Sequence, residues 1–158
     1  MFESEIMTHP QPQKYSKRRL AEIQIFRAIK LLEDEDDPVS ALTLAGAAEE
    51  ILGNALRAKG QRSAYDCVVE WDEEMWAFAA TKAEEQGYPL QVPDRKEIRQ
   101  RANRTRNELK HLCDGKSVKA YYRWDAEEMI ARAISNYNCL WGKPLQKTIS
   151  AWFEDYVR

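Results

Sequence analysis

The segment at residues 38–60 constrains the fold most strongly. Its sequence, PVSALTLAGAAEEILGNALRAKG, is apolar on nearly every side, which is typical of a helix buried among other helices. Asp37 and Pro38 suit the start of a helix, and Gly60 suits the residue just beyond its end. No segment of the sequence shows the alternating pattern of a strand. We therefore predict an all-α fold with this helix at its centre.

Glycine and proline residues divide the rest of the chain into further helical segments. Beside the central helix, helices are predicted at residues 16–35, 64–86, 93–115 and 125–142, followed by a last turn or short helix that reaches Phe153. The connections are short, so neighbouring helices should run antiparallel in an up-and-down bundle of about five helices. The apolar side of the first helix is predicted to consist of Leu20, Ile23, Phe26, Ile29 and Leu32.

Length and composition predict one domain. The chain has 158 residues and a hydrophobic fraction of 44%, enough for a single helical domain at residues 14–158. Residues 1–13 contain two prolines among polar residues and are expected to be flexible. They lack the apolar stretch of a secretory signal, and no later run approaches the roughly 18 apolar residues that span a bilayer. We expect a cytoplasmic protein without membrane contact.

Metal and cofactor motifs are missing from the sequence. Cys67, Cys113 and Cys139 form no CxxC pair, and His9 and His111 are the two histidines, so the usual zinc-binding sets are excluded. The sequence also contains no glycine-rich phosphate loop. We expect no metal and no cofactor, and we expect the cysteines to be buried thiols.

Positive charge is concentrated in the predicted fourth helix. The whole chain has a net charge of −2, which argues against a general attraction to nucleic acid. Asn103, Asn107 and His111 follow one another at helical spacing, and His111 lies in the last turn, where the helix dipole favours the imidazolium. A histidine beside arginines suits proton transfer at a phosphodiester, whereas a solvated face paired with acids is the alternative. The cations of this segment are Arg95, Arg99, Arg101, Arg104, Arg106 and Lys110.

Glu49 stands within an apolar stripe of the central helix. A buried carboxylate is costly unless it is paired, so we expect Glu49 to be buried and bonded to Arg106 or Arg99. Exposure at the edge of the helix is the alternative. Glu50 lies on a neighbouring strip with Gly46 and Gly53 and is expected to face solvent. The two glycines should permit close approach of another backbone. The stripe around Glu49 consists of Leu42, Ala45, Leu52 and Leu56.

Residues 106–111, RNELKH, resemble the signature of the HEPN family, an arginine and a polar residue followed by a histidine after four to six intervening positions. The motif lies near the end of the fourth helix of a small all-α domain, and LAGAAEEILG in the second helix is also similar to small bacterial HEPN-like proteins. The resemblance covers residues 16–141. Cys113 stands where one subgroup has a tyrosine, so control by modification of that tyrosine is not expected here.

The resemblance implies a metal-independent endoribonuclease, commonly of a toxin–antitoxin or antiphage defence system, with a composite site between two subunits. Arg106 would bind the phosphate, His111 would transfer protons, and Asn107 would orient the substrate. Beside these catalytic candidates, Lys110, Asn103 and Arg99 are candidate substrate-binding residues and Glu49 a supporting one. RNA would be the substrate, products would end in 2′,3′-cyclic phosphate, and a cognate antitoxin or defence protein would be a partner. The alternative is a non-catalytic HEPN-like module that binds nucleotide, RNA or another protein.

The spacing of the motif favours a homodimer. On an ideal helix, five residues place Arg106 and His111 roughly 140° apart, so one helix does not direct both side chains at one phosphate. A second copy across a two-fold axis would complete the site. The chain also has five tryptophans and seven tyrosines. We expect these in the core or at a packing or dimer surface, and not as platforms for base stacking.

Overall fold

The computed structural model describes residues 12–110, 117–143 and 146–158. Within these ranges the chain forms seven α-helices and no strand, which confirms the all-α class. Of the predicted flexible segment 1–13, residues 1–11, including His9, lie outside the described ranges. The helices are α1 (Lys17–Glu33), α2 (Pro38–Ala58), α3 (Ala64–Glu85), α4 (Arg95–Ala102), α5 (Arg104–Lys110), α6 (Tyr122–Trp141) and α7 (Lys147–Tyr156).

Local capping groups set the ends of the first three helices. The Ser16 hydroxyl accepts the backbone N–H of Arg19 at 3.1 Å, and Asp37 caps α2 in the same way. Gly60 and Gly87 follow the ends of α2 and α3 with φ of 70° and 80°, a conformation that glycine adopts without steric cost. These boundaries agree with the predicted ones within about two residues.

The hydrophobic core forms where α2 packs against α1 and α6. The predicted apolar side of α1 is partly wrong, because Leu20 and Ile23 are each 37% exposed. The strip that packs in the core contains small alanines as well as large residues, which allows closely packed neighbouring helices. The buried apolar residues of α1 are Ala21, Ile25, Ala28, Ile29, Leu31 and Leu32.

The predicted fourth helix is interrupted at Asn103. Asn103 ends α4 with φ −126° and ψ 17°, and α5 begins at the next residue. Arg132 of α6 donates to the carbonyl oxygen of Ala102 at 3.0 Å and to the side-chain oxygen of Asn103 at 3.1 Å. In a continuous helix that carbonyl would accept the N–H four residues later. One continuous helix at 93–115 was therefore a wrong prediction; residues 111–116 lie outside the described ranges.

The third helix lies at the edge of the fold. Val69 is its one buried residue, and α3 packs against α4 and α6. Trp71, Met75 and Phe78 remain largely exposed. At the other end of the chain, α6 begins three residues earlier than predicted and α7 extends to Tyr156. Among the described helices, none is both long and apolar enough to cross a membrane.

Candidate functional site

Glu49 lies at the centre of a buried group of charges. Its side chain is 5% exposed, and its oxygens lie 3.3 Å from Nη2 of Arg132 and 3.8 Å from Nη1 of Arg106. Both guanidinium groups are themselves buried. The predicted burial of Glu49 and its pairing with Arg106 are confirmed, whereas the pairing with Arg132 was not predicted. We call Glu49, Arg106 and Arg132 the inner charge cluster.

Arg99, the other predicted partner of Glu49, belongs to a different surface. Its Nη2 atom lies 3.9 Å from Oδ1 of Asp66, and its guanidinium carbon lies 5.9 Å from the ring centre of Tyr65. The Tyr65 hydroxyl donates to the Arg99 carbonyl at 3.0 Å. Because α4 packs against α3, Arg99 pairs with α3, and the prediction that it pairs with Glu49 is wrong.

Glu50 adds an exposed carboxylate beside the inner charge cluster. It is 52% exposed, accepts a hydrogen bond from Nη2 of Arg106, and lies 3.5 Å from Nζ of Lys110. Burial alone would raise the pKa of Glu50, but the Arg106 and Lys110 charges outweigh it and hold the pKa below its ordinary value. Arg106 therefore has one buried and one solvent-facing acidic partner.

Gly46 makes room for Arg106. A Cβ atom at Gly46 would lie 2.7 Å from Nε and 2.8 Å from Cδ of Arg106. At Gly53, a Cβ would lie 3.3 Å from the Cβ of Ser63 and 3.5 Å from Nδ2 of Asn136. At Gly46 the nearest atoms all belong to the Arg106 side chain, so the predicted approach of another backbone is wrong there; at Gly53 the nearest atom is the Ser63 Cβ, next to that residue's backbone.

A shallow basic groove lies between α3, α4 and the start of α5. Its volume is about 480 Å³, and cations and amides line it together with one tyrosine, without a carboxylate. Such a surface can hold the phosphates of a nucleic-acid backbone and hydrogen-bond to its sugars. The lining residues are Tyr65, Arg95, Lys96, Arg99, Gln100, Asn103 and Asn107.

The predicted site residues are divided between these regions. Arg99, Asn103 and Asn107 line the basic groove, whereas Arg106 belongs to the inner charge cluster and does not line the groove. Lys110 pairs with Glu50. His111, the residue after the end of α5, lies outside the described ranges. The structure thus brings together one cation and both asparagines of the predicted set.

A second cavity, of about 450 Å³, opens between α3, the junction of α4 and α5, and α6. Trp71 and Trp124 line it, and each is 60% exposed, so the expectation of a core position is wrong for these two, whereas a place at a dimer surface stays a prediction. We call it the tryptophan cavity. Sequence reasoning missed it, although each tryptophan begins a similar acidic run, WDEEM at residues 71–75 and WDAEEM at residues 124–129.

Three carboxyl groups, those of Asp72, Asp125 and Glu128, also line the tryptophan cavity. Burial raises the pKa of Glu128 above its ordinary value; the Arg132 charge opposes this effect, and the charges of Asp125 and Asp72 add to it. Arg101, Arg104, Arg106 and Arg132 line the cavity as well. The cavity therefore combines flat apolar surface with both carboxylates and cations, whereas no carboxylate lines the basic groove.

Metal-binding groups are not assembled in the described ranges, where no three histidine, cysteine, aspartate or glutamate side chains could jointly hold an ion. Cys67 and Cys139 are exposed, so the expectation of buried thiols is wrong for these two. Cys113 lies outside the described residues.

No protein-family model matches this chain, and no curated protein or solved structure is significantly similar to it. The HEPN-like family therefore stays a prediction from the motif at residues 106–111 and its helical context.

Proposed function

We propose that this chain is a HEPN-like, metal-independent endoribonuclease whose composite site forms at a homodimer interface. We place it in a toxin–antitoxin or antiphage defence setting, with a cognate antitoxin or defence protein as partner. The basic groove supports this function most strongly, because it gathers cations and amides beside α5, which leads in the sequence directly to His111.

Binding of RNA would begin with the exposed cations of the basic groove. The side chains of Arg95 and Arg99 are about half exposed, and their acidic partners are Glu73 at 2.6 Å and Asp66 at 3.9 Å. Because both cations keep about half of their surface in water, these pairs contribute little to stability, and a phosphate can compete with the carboxylates for them. The amides of Asn103 and Asn107 would hydrogen-bond to phosphate or sugar oxygens.

The cleavage step uses the 2′-hydroxyl of the RNA as nucleophile. As His111 accepts the 2′ proton, the 2′-oxygen forms a bond to phosphorus and the bond from phosphorus to the 5′-oxygen breaks. The partner subunit's His111 donates a proton to the departing 5′-oxygen. The products are a 2′,3′-cyclic phosphate and a 5′-hydroxyl, and no co-reactant is consumed. Without a 2′-hydroxyl, DNA would not be cleaved.

Arg106 can reach a phosphate by exchanging its solvent-facing partner. Its Nη2 atom is bonded to Glu50, which is half exposed, while Nη1 lies beside the buried Glu49. Replacement of Glu50 by a phosphate would retain the buried pair and supply a charge-assisted contact to the substrate.

The double pairing of Arg106 also favours the second candidate, a non-catalytic HEPN-like module that binds RNA, nucleotide or another protein. With both glutamates in place, Arg106 stabilises the contact between α2 and α5. In a module of this kind the basic groove would bind its ligand without cleavage.

Incubation of total RNA with the full chain in EDTA separates the two candidates. We expect the wild type to cleave, and His111→Ala and Arg106→Ala each to lower the rate about 100-fold or more. Arg106→Lys should recover little of the loss, because a point charge cannot reproduce the planar guanidinium. His9→Ala and Arg27→Ala are the matched controls and should cleave normally, since neither residue belongs to the proposed site.

Three results would count against the ribonuclease. Cleavage that survives His111→Ala, or that stops on addition of EDTA, would contradict the mechanism, and RNA binding without cleavage would support the module. Light scattering tests the composite site separately: we expect a dimer, and a strict monomer at high micromolar concentration would contradict it.

A further inference from the structure

The walls of the tryptophan cavity expose two indole rings. Trp71 comes from α3 and Trp124 from the first turn of α6. One exposed apolar side chain is ordinary, but two indoles at one cavity leave a large flat apolar surface in water. Leu42 and Met129, both buried, also line the cavity. A planar ring stacked on the indoles would cover this surface.

Two of the three carboxyl groups of the cavity have no donor within the described part of the chain. Among the described residues, Asp72 and Glu128 have no hydrogen bond or ion pair through their side chains, and Asp125 accepts the hydroxyl of Thr105 at 2.9 Å. Glu128 is partly buried, so its oxygens have lost part of their hydration without a replacement within this part of the chain. A ligand with N–H donors would supply the missing hydrogen bonds to the Glu128 oxygens.

The rim of the cavity carries positive charge. Arg101 and Arg104 line it, and their side chains are 52% and 69% exposed. Each pairs with one glutamate on its own helix, Arg101 with Glu97 at 3.1 Å and Arg104 with Glu108 at 2.9 Å. Exposed pairs at this spacing are weak, so both guanidinium groups can turn to a phosphate. The rim therefore disfavours a simple cation as the ligand.

We propose that the tryptophan cavity binds a guanine base of RNA, stacked on Trp71 and Trp124, with Glu128 as the acceptor for N1–H and N2–H. Guanine presents two adjacent N–H donors on its Watson–Crick edge, whereas adenine and cytosine present one amino group and uracil one imide. The phosphate of the same nucleotide lies at the rim, beside Arg101 and Arg104. A cavity of about 450 Å³ is within the usual range for small ligands. This inference rests on the proposed function, which supplies the RNA.

Calorimetric titration of the full chain with GMP, AMP, CMP and UMP tests the base site without any cleavage step. We expect GMP to bind at least about tenfold more tightly than the other nucleotides, the discrimination typical of a good bidentate contact. Glu128→Gln should weaken GMP binding about tenfold, and Trp71→Ala by about tenfold or more. The matched controls are Glu127→Gln, the neighbouring carboxyl, and Phe78→Ala, an exposed aromatic on the same helix as Trp71; neither lines the cavity, and both should bind GMP as the wild type does.

Equal affinity for the four nucleotides would overturn the guanine site, as would GMP binding that is unchanged in both Glu128→Gln and Trp71→Ala. Agmatine serves as a cation probe, and tighter binding of agmatine than of GMP would also overturn it. The RNA assay is read separately. Selective GMP binding by a chain that leaves RNA intact would support the base site and contradict the ribonuclease. RNA cleavage without selective GMP binding would support the ribonuclease and contradict the base site.

Discussion

Arginines occur in both the inner charge cluster and the basic groove, but their surroundings are opposite. Arg106 and Arg132 are buried, and each contacts more than one acidic or carbonyl partner. Arg95 and Arg99 in the groove are half exposed beside acids of α3. A guanidinium removed from water needs several partners, whereas an exposed one keeps its hydration and can exchange a carboxylate for a ligand. Burial thus separates cations that mainly hold the fold from cations that exchange their partners easily; Arg106 is buried but keeps one solvent-facing partner, Glu50, that a phosphate could replace.

The break at Asn103 creates this difference within one segment. Arg99 and Arg106 are seven residues apart, so an uninterrupted helix would place them roughly 20° apart around its axis. In the structure, Arg99 pairs with α3 and Arg106 with α2. The interruption therefore turns one arginine to the groove and the other to the core.

The largest effect on stability is expected at Glu49. Glu49→Ala leaves two buried guanidinium groups without their shared carboxylate and should lower the free energy of unfolding by about 3–5 kcal/mol. Glu50→Ala, the matched control one residue later, removes a half-exposed partner and should cost less than about 1 kcal/mol. Denaturant unfolding measures both variants. Similar losses from the two variants would contradict the distinction between buried and exposed pairs.

Gly46→Ala is expected to have the next largest effect. The added methyl group would meet Nε and Cδ of Arg106, whose guanidinium is held by two glutamates and cannot move without loss of those contacts. We expect a loss of about 1–3 kcal/mol, despite the better helix propensity of alanine. At Gly53 the nearest atom would lie 3.3 Å from the added methyl group, against 2.7 Å at Gly46, so Gly53→Ala should hardly change the free energy of unfolding. Thermal unfolding that ranks the two variants in the opposite order would contradict the packing described here.

Arg99→Ala should change stability by less than about 1 kcal/mol, because the Arg99 side chain is about half exposed and lies 3.9 Å from Asp66. RNA binding should nevertheless weaken several-fold, with the slope of log affinity against log salt concentration smaller by about 1. Lys82→Ala removes an exposed cation of α3 outside the groove and should change neither quantity. Fluorescence anisotropy with a labelled RNA measures the affinities, and unchanged binding in Arg99→Ala would remove the groove from the proposed interface.

The smallest effect on stability is expected for Glu128→Gln, which should stabilise the fold, whereas the preceding substitutions destabilise it or leave it nearly unchanged. Because the folded-state pKa of Glu128 is raised, the folded chain holds a proton that the unfolded chain releases, so stability falls as pH rises through that interval. Glu128→Gln should therefore melt slightly higher than the wild type near neutral pH, and the difference should vanish below about pH 4, where the unfolded carboxyl is also protonated. A lower melting temperature for the variant at neutral pH would show that Glu128 stabilises the fold.

Features set by neighbouring residues could be predicted from the sequence. The caps at Ser16 and Asp37 and the end of α2 before Gly60 depend on contacts within a few residues, and the burial of Glu49 followed from its place in an apolar stripe. The exposed sides of Leu20 and Ile23 could not be predicted in this way, because several apolar strips of α1 compete for the core.

Features set by distant residues could not be predicted. No glycine or proline marks the break at Asn103. At the break, Arg132 binds Ala102 and Asn103, which lie about 30 residues before Arg132 in the chain. The tryptophan cavity likewise depends on the meeting of α3 and α6, although the acidic runs that follow Trp71 and Trp124 resemble each other. Both features arise from side chains that meet through the tertiary fold.

Mass spectrometry of the products from a defined RNA oligonucleotide, incubated with the wild-type chain in EDTA, tests the central claim most directly. We predict fragments that end in 2′,3′-cyclic phosphate and begin with a 5′-hydroxyl, and an intact oligonucleotide when every sugar lacks its 2′-hydroxyl. Fragments with 3′-hydroxyl and 5′-phosphate ends, cleavage of the deoxy analogue, or RNA that stays intact would contradict it.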